Sequence, residues 1–386
     1  MKSLVKWKLP YLLLSAGLLW AQAAWAAEVL LQPTPDRGVQ PRMITDHSGT
    51  VHLLYFRKRI SSPAAREGNL YYRQFDPAAG IFGQPVRVSS SAFNMQTFSI
   101  ARAEMAVGGD GRVHVIWYLP RQGAYMYSRS NAGRTEFEEQ RSMVAEFAVG
   151  LDAGANVAAQ DEQVAIVWAA GDLGREQERT VYARISSDSG ASFGREQQIG
   201  NPDLGACACC SLAADITDDN ELLVAYRSAI DGIGRHMQLL TVRGNGSELT
   251  SASYGEVQQL QQWEASFCPL STNDIVRGQS GDHSLVFETE HRIVELALQD
   301  DGIAHPVAEP FSETRQKNPA MAINSMGAKL IAWGEAISHS RGGRLNWRLY
   351  DGGGAEVGAM AEEFEIPEYS FPAIATLPDG NFLLLY

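Results

Sequence analysis

Three of the four cysteines in this chain fall within four residues. Cys207, Cys209 and Cys210 stand in GACACCSLA, and Cys268 stands apart in SFCPLS. Sulfur at that density offers three chemistries. It can tie the fold by disulfides, hold a soft ion as thiolates, or exchange electrons as a redox pair. Four cysteines admit three pairings. A bond between the adjacent Cys209 and Cys210 closes a strained ring and is the least favoured. Two to four thiolates suit Cu(I) or Zn(II), and His236, His283 or His339 could complete such a site. The spacing is not that of two C-x-x-C zinc knuckles. Read as C-x-C-C, the segment also lacks a C-x-x-C motif to support a redox pair. Compartment and fold must decide between these options.

The N-terminus reads as a secretory leader. Lys2, Lys6 and Lys8 precede an apolar run from Tyr11 to Trp20, and Ala24-Trp25-Ala26 is an A-x-A cleavage signal. The run is short for a bilayer span. Residues 1–26 are therefore expected to be removed, with an uncleaved anchor as the alternative. No lipobox cysteine follows, and no second long apolar run predicts a membrane span in the mature chain. Export to a bacterial periplasm or beyond permits disulfides. The formal net charge is −13, and removal of three leader lysines makes the mature chain more acidic still. Such a chain is a poor partner for nucleic acid or an anionic membrane surface.

One pattern organises the rest. A turn rich in Gly, Asp or Asn leads into an apolar strand ending in an aromatic residue, at Tyr55, Trp117, Trp168, Tyr226, Phe287, Trp333 and Tyr386. A unit with several strands, recurring about every 45 to 60 residues, reads as a propeller blade. Short strands such as PRMIT, AEMAV and PAIAT precede the turns and are the inner strands A; the aromatic-ended strands are B. Strands C follow in NLYYRQF, TVYARISS and RLNWRLY, and strands D in PVRVSS and EQQIG. There are seven A–B pairs and six C strands. EVLLQP near the mature N-terminus reads like a D strand that closes the last blade, because an open ring leaves unpaired backbone. The expected fold is an all-β propeller of four-stranded antiparallel blades over residues 27–386, a single domain closed by its N-terminal strand. Seven blades are favoured over six with a stray hairpin; a pair of β-sandwiches is the remaining alternative.

Ser186, Asp188, Gly190 and Phe193 fit S-x-D-x-G-x-[ST]-[WF] in SSDSGASF. This resembles the Asp box of sialidase-like (BNR-repeat) propellers, in register with the repeat on a C-to-D turn; SRSNAGRTEF and FDPAAGIF are decayed copies. CACC followed by a Cys-Pro one blade later resembles exported bacterial sialidase-like proteins of undefined activity. The resemblance implies structural Asp boxes on one face and a ligand site on the other, where D-to-A connections and B-to-C loops meet around the channel. That face would carry Glu104, Asn156, Asn318, Glu288 and Glu335 as well.

Sialidase chemistry needs three arginines to clamp a carboxylate, an acid–base Asp, and a Tyr–Glu nucleophile. Arginine suits the clamp because its planar fork matches a carboxylate. Arg42, Arg227 and Arg315 are the candidates here, with Tyr369 in EYS as the nucleophile-like residue and Asp46 or Asp172 as conceivable acids. Arg42 stands in QPRM rather than an R-I-P motif, so recognition of a glycan or glycoconjugate is expected before its hydrolysis. Trp263, Trp347 and Tyr369 are candidate stacking platforms. No cofactor is required by this reading. The sequence also leaves open a Cu- or Zn-binding periplasmic protein centred on Cys207, Cys209, Cys210 and Cys268, and a protein-interaction scaffold. Since Cys209, Cys210 and Cys268 open neighbouring inner strands, the favoured arrangement is two disulfides. In it Cys268 joins Cys207, Cys209 or Cys210 as a clip between blades.

Overall fold

The computed structural model describes residues 27–59, 66–95, 101–152, 154–243, 254–298, 303–310, 313–336, 342–360 and 363–386. The expected leader at 1–26 and the candidate ligand His339 lie outside the described residues.

The described residues form seven blades in a ring, a β-propeller. The inner strands A are Val39–Thr45, Glu104–Val107, Asn156–Gln160, Ala213–Ile216, Asn273–Arg277, Gln316–Ile323 and Ala373–Thr376, for blades 1 to 7. Each lies beside the next around the channel, and blade 7 closes against blade 1. The turns between A and B follow from local chemistry. Asp46 Oδ1 accepts the backbone N–H groups of Ser48 and Thr50, each at 2.9 Å, and Gly49 supplies a φ of 80°. Asn324 does the same for Met326 and Ala328, with Gly327 at 77°. An Asx acceptor followed by a glycine fixes a tight turn.

Strands B are packed by neighbouring blades on both faces. Val113–Leu119, Gln163–Ala170 and His283–Thr289 are buried along their whole lengths. The core is accordingly a series of seams between blades. Ile116, Tyr125 and Tyr127 of blade 2 meet Val157, Ile166 and Trp168 of blade 3 in one of them.

Six blades have the expected four-stranded order; blade 1 carries its outer edge as three short pieces against Glu67–Asp76. Blade 7 differs. It has three strands, and Val29–Gln32 pairs with Phe382–Leu385 in parallel, Val29 opposite Phe382. The N-terminal strand therefore closes the ring in the C position rather than the D position. It keeps a D strand's direction, because it must deliver the chain to the face where blade 1 begins. With no C strand between, that direction lies parallel to B.

Candidate functional site

The chain topology puts the D-to-A connections and B-to-C loops on one face. The cysteines lie there, between blades 4 and 5. A short 3-10 turn at Pro202–Leu204 and Gly205, with φ 62°, bring the chain in. Cys207 N–H donates to the Arg227 carbonyl at 2.9 Å, and Ala208 N–H donates to Glu176 Oε1 at 2.9 Å. Cys209 is bonded to Cys268 with a Cα–Cα separation of 6.4 Å, within the usual range. This is the expected clip between adjacent blades. Cys207 and Cys210 are buried thiols, so the second expected disulfide is not formed here. Their sulfurs are 2.7 Å apart, and Cys207 Sγ is 3.6 Å from Cys209 Sγ. Burial pushes the Cys207 thiol well up. Burial opposes ionisation of Cys210 as well, but the hydrogen bond from Cys207 and the Arg227 guanidinium outweigh it and lower its pKa.

Cys207 and Cys210 stand at C-x-x-C spacing, with Ala208 and Cys209 between them. Reading the stretch as C-x-C-C hid that relation. The sulfurs of Cys207, Cys209 and Cys210 all lie within 4.8 Å of one another, and no histidine among the described residues joins that group. The disulfide occupies Cys209. His236 Nδ1 is 3.1 Å from both the Trp263 carbonyl oxygen and the Trp263 nitrogen. His283 opens a B strand at the opposite face and pairs with Asp215 at 2.8 Å, which removes it from the cysteine corner.

Beside Cys268 the same face carries an aromatic platform. Phe267 is 43% exposed, Trp263 only 6%. Their rings meet edge-on at 6.1 Å, and His291 stacks on Phe267 at 5.7 Å. Two of the predicted arginines bracket this pair. Arg227 lies 5.0 Å from the Trp263 ring centre, and Arg315 lies 5.9 Å from that of Phe267. His291 is presented by a two-residue hairpin, Glu290-His291, whose φ values are 49° and 68°. Such turns favour Asn-Gly, so Glu-His here stores local strain. Behind it Glu288 is fully buried. Its Oε2 pairs with Lys317 Nζ at 2.6 Å. Its Oε1 faces His291 Nδ1 at 3.6 Å, and neither atom has a hydrogen-bond partner among the described residues.

Arg42 occupies a different place, in the channel. A β-bulge in blade 1, with Gln40 at φ 55°, precedes it; bulges re-aim side chains. Its Nε lies 3.0 Å from Glu104 Oε2 of blade 2, and its Nη1 lies 3.0 Å from Asp274 Oδ1 of blade 5. Burial works against its charge, and the two carboxylates more than offset this, raising its pKa. Tyr369, at φ 65°, leads into blade 7 with Lys58 and Arg66 at 5.1 and 5.7 Å from its ring centre.

Arg42, Arg227 and Arg315 are not assembled around one empty position. Arg42 faces two carboxylates. Arg227 is buried, its guanidinium donating to the carbonyls of Arg235, at 2.6 Å, and Glu288. Arg315 is the exposed one. Of the conceivable acids, Asp46 sits in an A-to-B turn on the opposite face, paired with His52. Asp172 is on a surface loop, paired with Arg175. Trp347 lies mid-strand in Arg344–Tyr350, away from either face. Phe267 had no signal in the sequence beyond its place before Cys268.

The turn at residues 186–193, which resembles an Asp box in sequence, occupies the far face. Asp188 accepts Ser192 N–H at 2.9 Å and the Ser192 and Ser186 hydroxyls at 2.6 and 2.7 Å. Gly190 N–H donates to Ser186 Oγ at 2.9 Å, and Phe193 packs edge-on against Tyr127 at 5.2 Å. A slight burial opposes ionisation, but the Ser192 and Ser186 bonds hold Asp188 down to about 2.

No protein-family model matches the chain, and no curated protein matches it. Solved structures with similar shape are propellers that include glycosidases. An α-L-arabinanase of Penicillium chrysogenum, complexed with arabinobiose, overlays with a TM-score of 0.53 at 10% identity, over 86% of this chain and 99% of that one. A protein of unknown function from Dyadobacter fermentans gives 0.50 at 11%, over 86% and 96%. An intramolecular trans-sialidase of Ruminococcus gnavus gives 0.42 at 11%, over 89% and 88%. The two likenesses at 0.50 and above establish that this chain shares the propeller fold with those structures.

Proposed function

We propose that this is an exported protein that binds a glycan on the D-to-A face, without hydrolysing it. The observation that carries the reading is the exposed Phe267 ring, stacked on His291 and flanked by Arg315. An aromatic face accepts the C–H face of a sugar, and the adjacent imidazole and guanidinium offer hydrogen bonds to hydroxyls or to the carboxylate of an acidic sugar. Binding is favoured over sialidase-type cleavage because Arg42 and Arg227 are already engaged by carboxylates and carbonyls. Screening wild type and Phe267→Ala on an array of neutral and acidic glycans tests it. Binding lost on substitution supports the reading; no glycan bound by wild type overturns it.

A second reading rests on the three clustered sulfurs. In a fully reduced chain, Cys207, Cys209 and Cys210 could hold Cu(I) or Zn(II) as thiolates. Metal analysis of protein purified with and without reductant decides it, since this site requires the Cys209–Cys268 bond to be open.

A further inference from the structure

Four sulfurs run inward from the surface. Cys268 is exposed; Cys209, Cys210 and Cys207 are 8%, 4% and 2% exposed. A clip that only braced two blades would need the Cys209–Cys268 bond alone. Here two further thiols stand behind it at C-x-x-C spacing, one of them 3.6 Å from a bonded sulfur. The guanidinium groups of Arg227 and Arg235 lie close enough to act on this pair. Positive charge favours the thiolate, which is the attacking species in exchange. Burial keeps outside reagents from Cys207 and Cys210, so their accessible reaction partner is the disulfide beside them.

We propose that the four cysteines form a thiol–disulfide relay, in which one disulfide moves between the exposed Cys209–Cys268 position and the buried Cys207–Cys210 position. Cys210, the sulfur whose thiolate is favoured, takes the Cys207 proton across their contact, and the Cys207 thiolate so formed attacks Cys209 Sγ. A Cys207–Cys209 bond forms, the Cys209–Cys268 bond breaks, and Cys268 leaves as a thiolate with the electron pair. The Cys210 thiolate then attacks Cys207 Sγ, 2.7 Å away. A Cys207–Cys210 bond forms and Cys209 leaves as a thiolate. Cys209 and Cys268 take up the two protons that Cys207 and Cys210 lost. One disulfide and two thiols stand on each side, so no external oxidant is consumed. Cys209 and Cys268, now a dithiol reached from solvent through the exposed Cys268, can pass two electrons to the disulfide of a partner and regain their own bond. The inference is independent of glycan binding.

The test uses the full mature chain equilibrated in glutathione buffers of stepped ratio, quenched in acid, alkylated and mapped by peptide mass spectrometry. At intermediate ratios the wild type should hold two singly bonded species, Cys209–Cys268 and Cys207–Cys210. Cys210→Ser should stop the relay halfway, with a Cys207–Cys209 bond and Cys268 alkylatable in the native chain. Cys268→Ser, a second variant in case the first does not fold, should carry Cys207–Cys210. Finding Cys209–Cys268 as the sole linkage at every ratio, with Cys207 and Cys210 alkylated only after unfolding, would overturn the proposal. So would native mass spectra showing Cu or Zn retained on Cys207 and Cys210.

Discussion

Arg42 of blade 1 reaches across the channel to Asp274 of blade 5, Nη1 to Oδ1 at 3.0 Å, while its Nε contacts Glu104 of blade 2 at 3.0 Å. One guanidinium thus joins three inner strands. Both carboxylates are nearly inaccessible. Glu104 keeps Arg102 as a second partner, but removing Arg42 takes away the arginine paired with buried Asp274, and breaking a buried pair costs about 3–5 kcal/mol. Arg42→Met should lower the denaturant midpoint accordingly, with the slope unchanged. Arg42→Met combined with Asp274→Asn should recover part of the loss. A single variant within about 0.5 kcal/mol of wild type would show that Arg42 is not a structural strut and return it to the pool of ligand-binding candidates.

His114 links the turn at residues 186–193 to the pH dependence of stability. Its ring is inaccessible, its Nδ1 lies 2.7 Å from Tyr127 Oη, and a Cβ on Gly190 of the next blade would stand 2.1 Å from that same oxygen. Burial pushes the imidazole down to about 4. Between that value and the ordinary one near 6.5 the unfolded chain binds the extra proton, so stability rises with pH through this window and is lost as pH falls. The contribution is on the order of 3 kcal/mol between pH 7 and pH 4. Unfolding free energies measured across that range should fall more steeply for wild type than for His114→Gln. His52, buried and also lowered, acts in the same direction and remains in both proteins. Parallel pH profiles would refute the assignment to His114.

The N-terminal strand supplies a third test. Val29 and Leu31 pack against the blade 7 core, and their backbone covers the edge of Phe382–Leu385. A chain starting at Thr34 should expose that edge and associate through it. Its melting temperature should fall on the order of 5 °C, and light scattering should show oligomers. A peptide AEVLLQPT added in trans should reverse both. A monomeric truncated chain with unchanged melting would mean that the strand is dispensable for closure.

Local chemistry made the ring legible. Asx and Gly in the A-to-B turns and apolar B strands are encoded within a few residues, so seven blades could be read directly. The clip from Cys268 followed from strand adjacency. The direction of the N-terminal strand was readable too; its place was not, because that depends on a C strand the last blade lacks. Arg227 illustrates the larger gap. Whether an arginine at the end of a B strand faces a ligand or backbone carbonyls is settled by the chain at Arg235 and at Glu288 of the next blade, whose carbonyls Arg227 meets, not by its neighbours in sequence. Asp46 failed for a simpler reason, since an A-to-B turn belongs to the face opposite the predicted site. Phe267 was hidden because an exposed loop aromatic has no pattern, and the nearby Trp263 is the more conspicuous residue but the buried one.

Phe267 therefore carries the most direct test of the proposed function. It is nearly half exposed, so Phe267→Ala should leave the unfolding midpoint close to wild type. Loss of a ring that stacks on a ligand costs about 0.5–1.5 kcal/mol beyond its buried area, so the affinity for any glycan found on the array should fall about tenfold or more. Phe267→Trp should retain binding, since the larger ring keeps the stacking face. Arg315→Gln should weaken acidic glycans more than neutral ones if the guanidinium meets a carboxylate, and both equally if it serves only to hold the ring. Titration calorimetry on the four proteins separates these outcomes. Equal affinities for wild type and Phe267→Ala would remove the platform from the binding site and move the search to the channel around Tyr369 and Arg42.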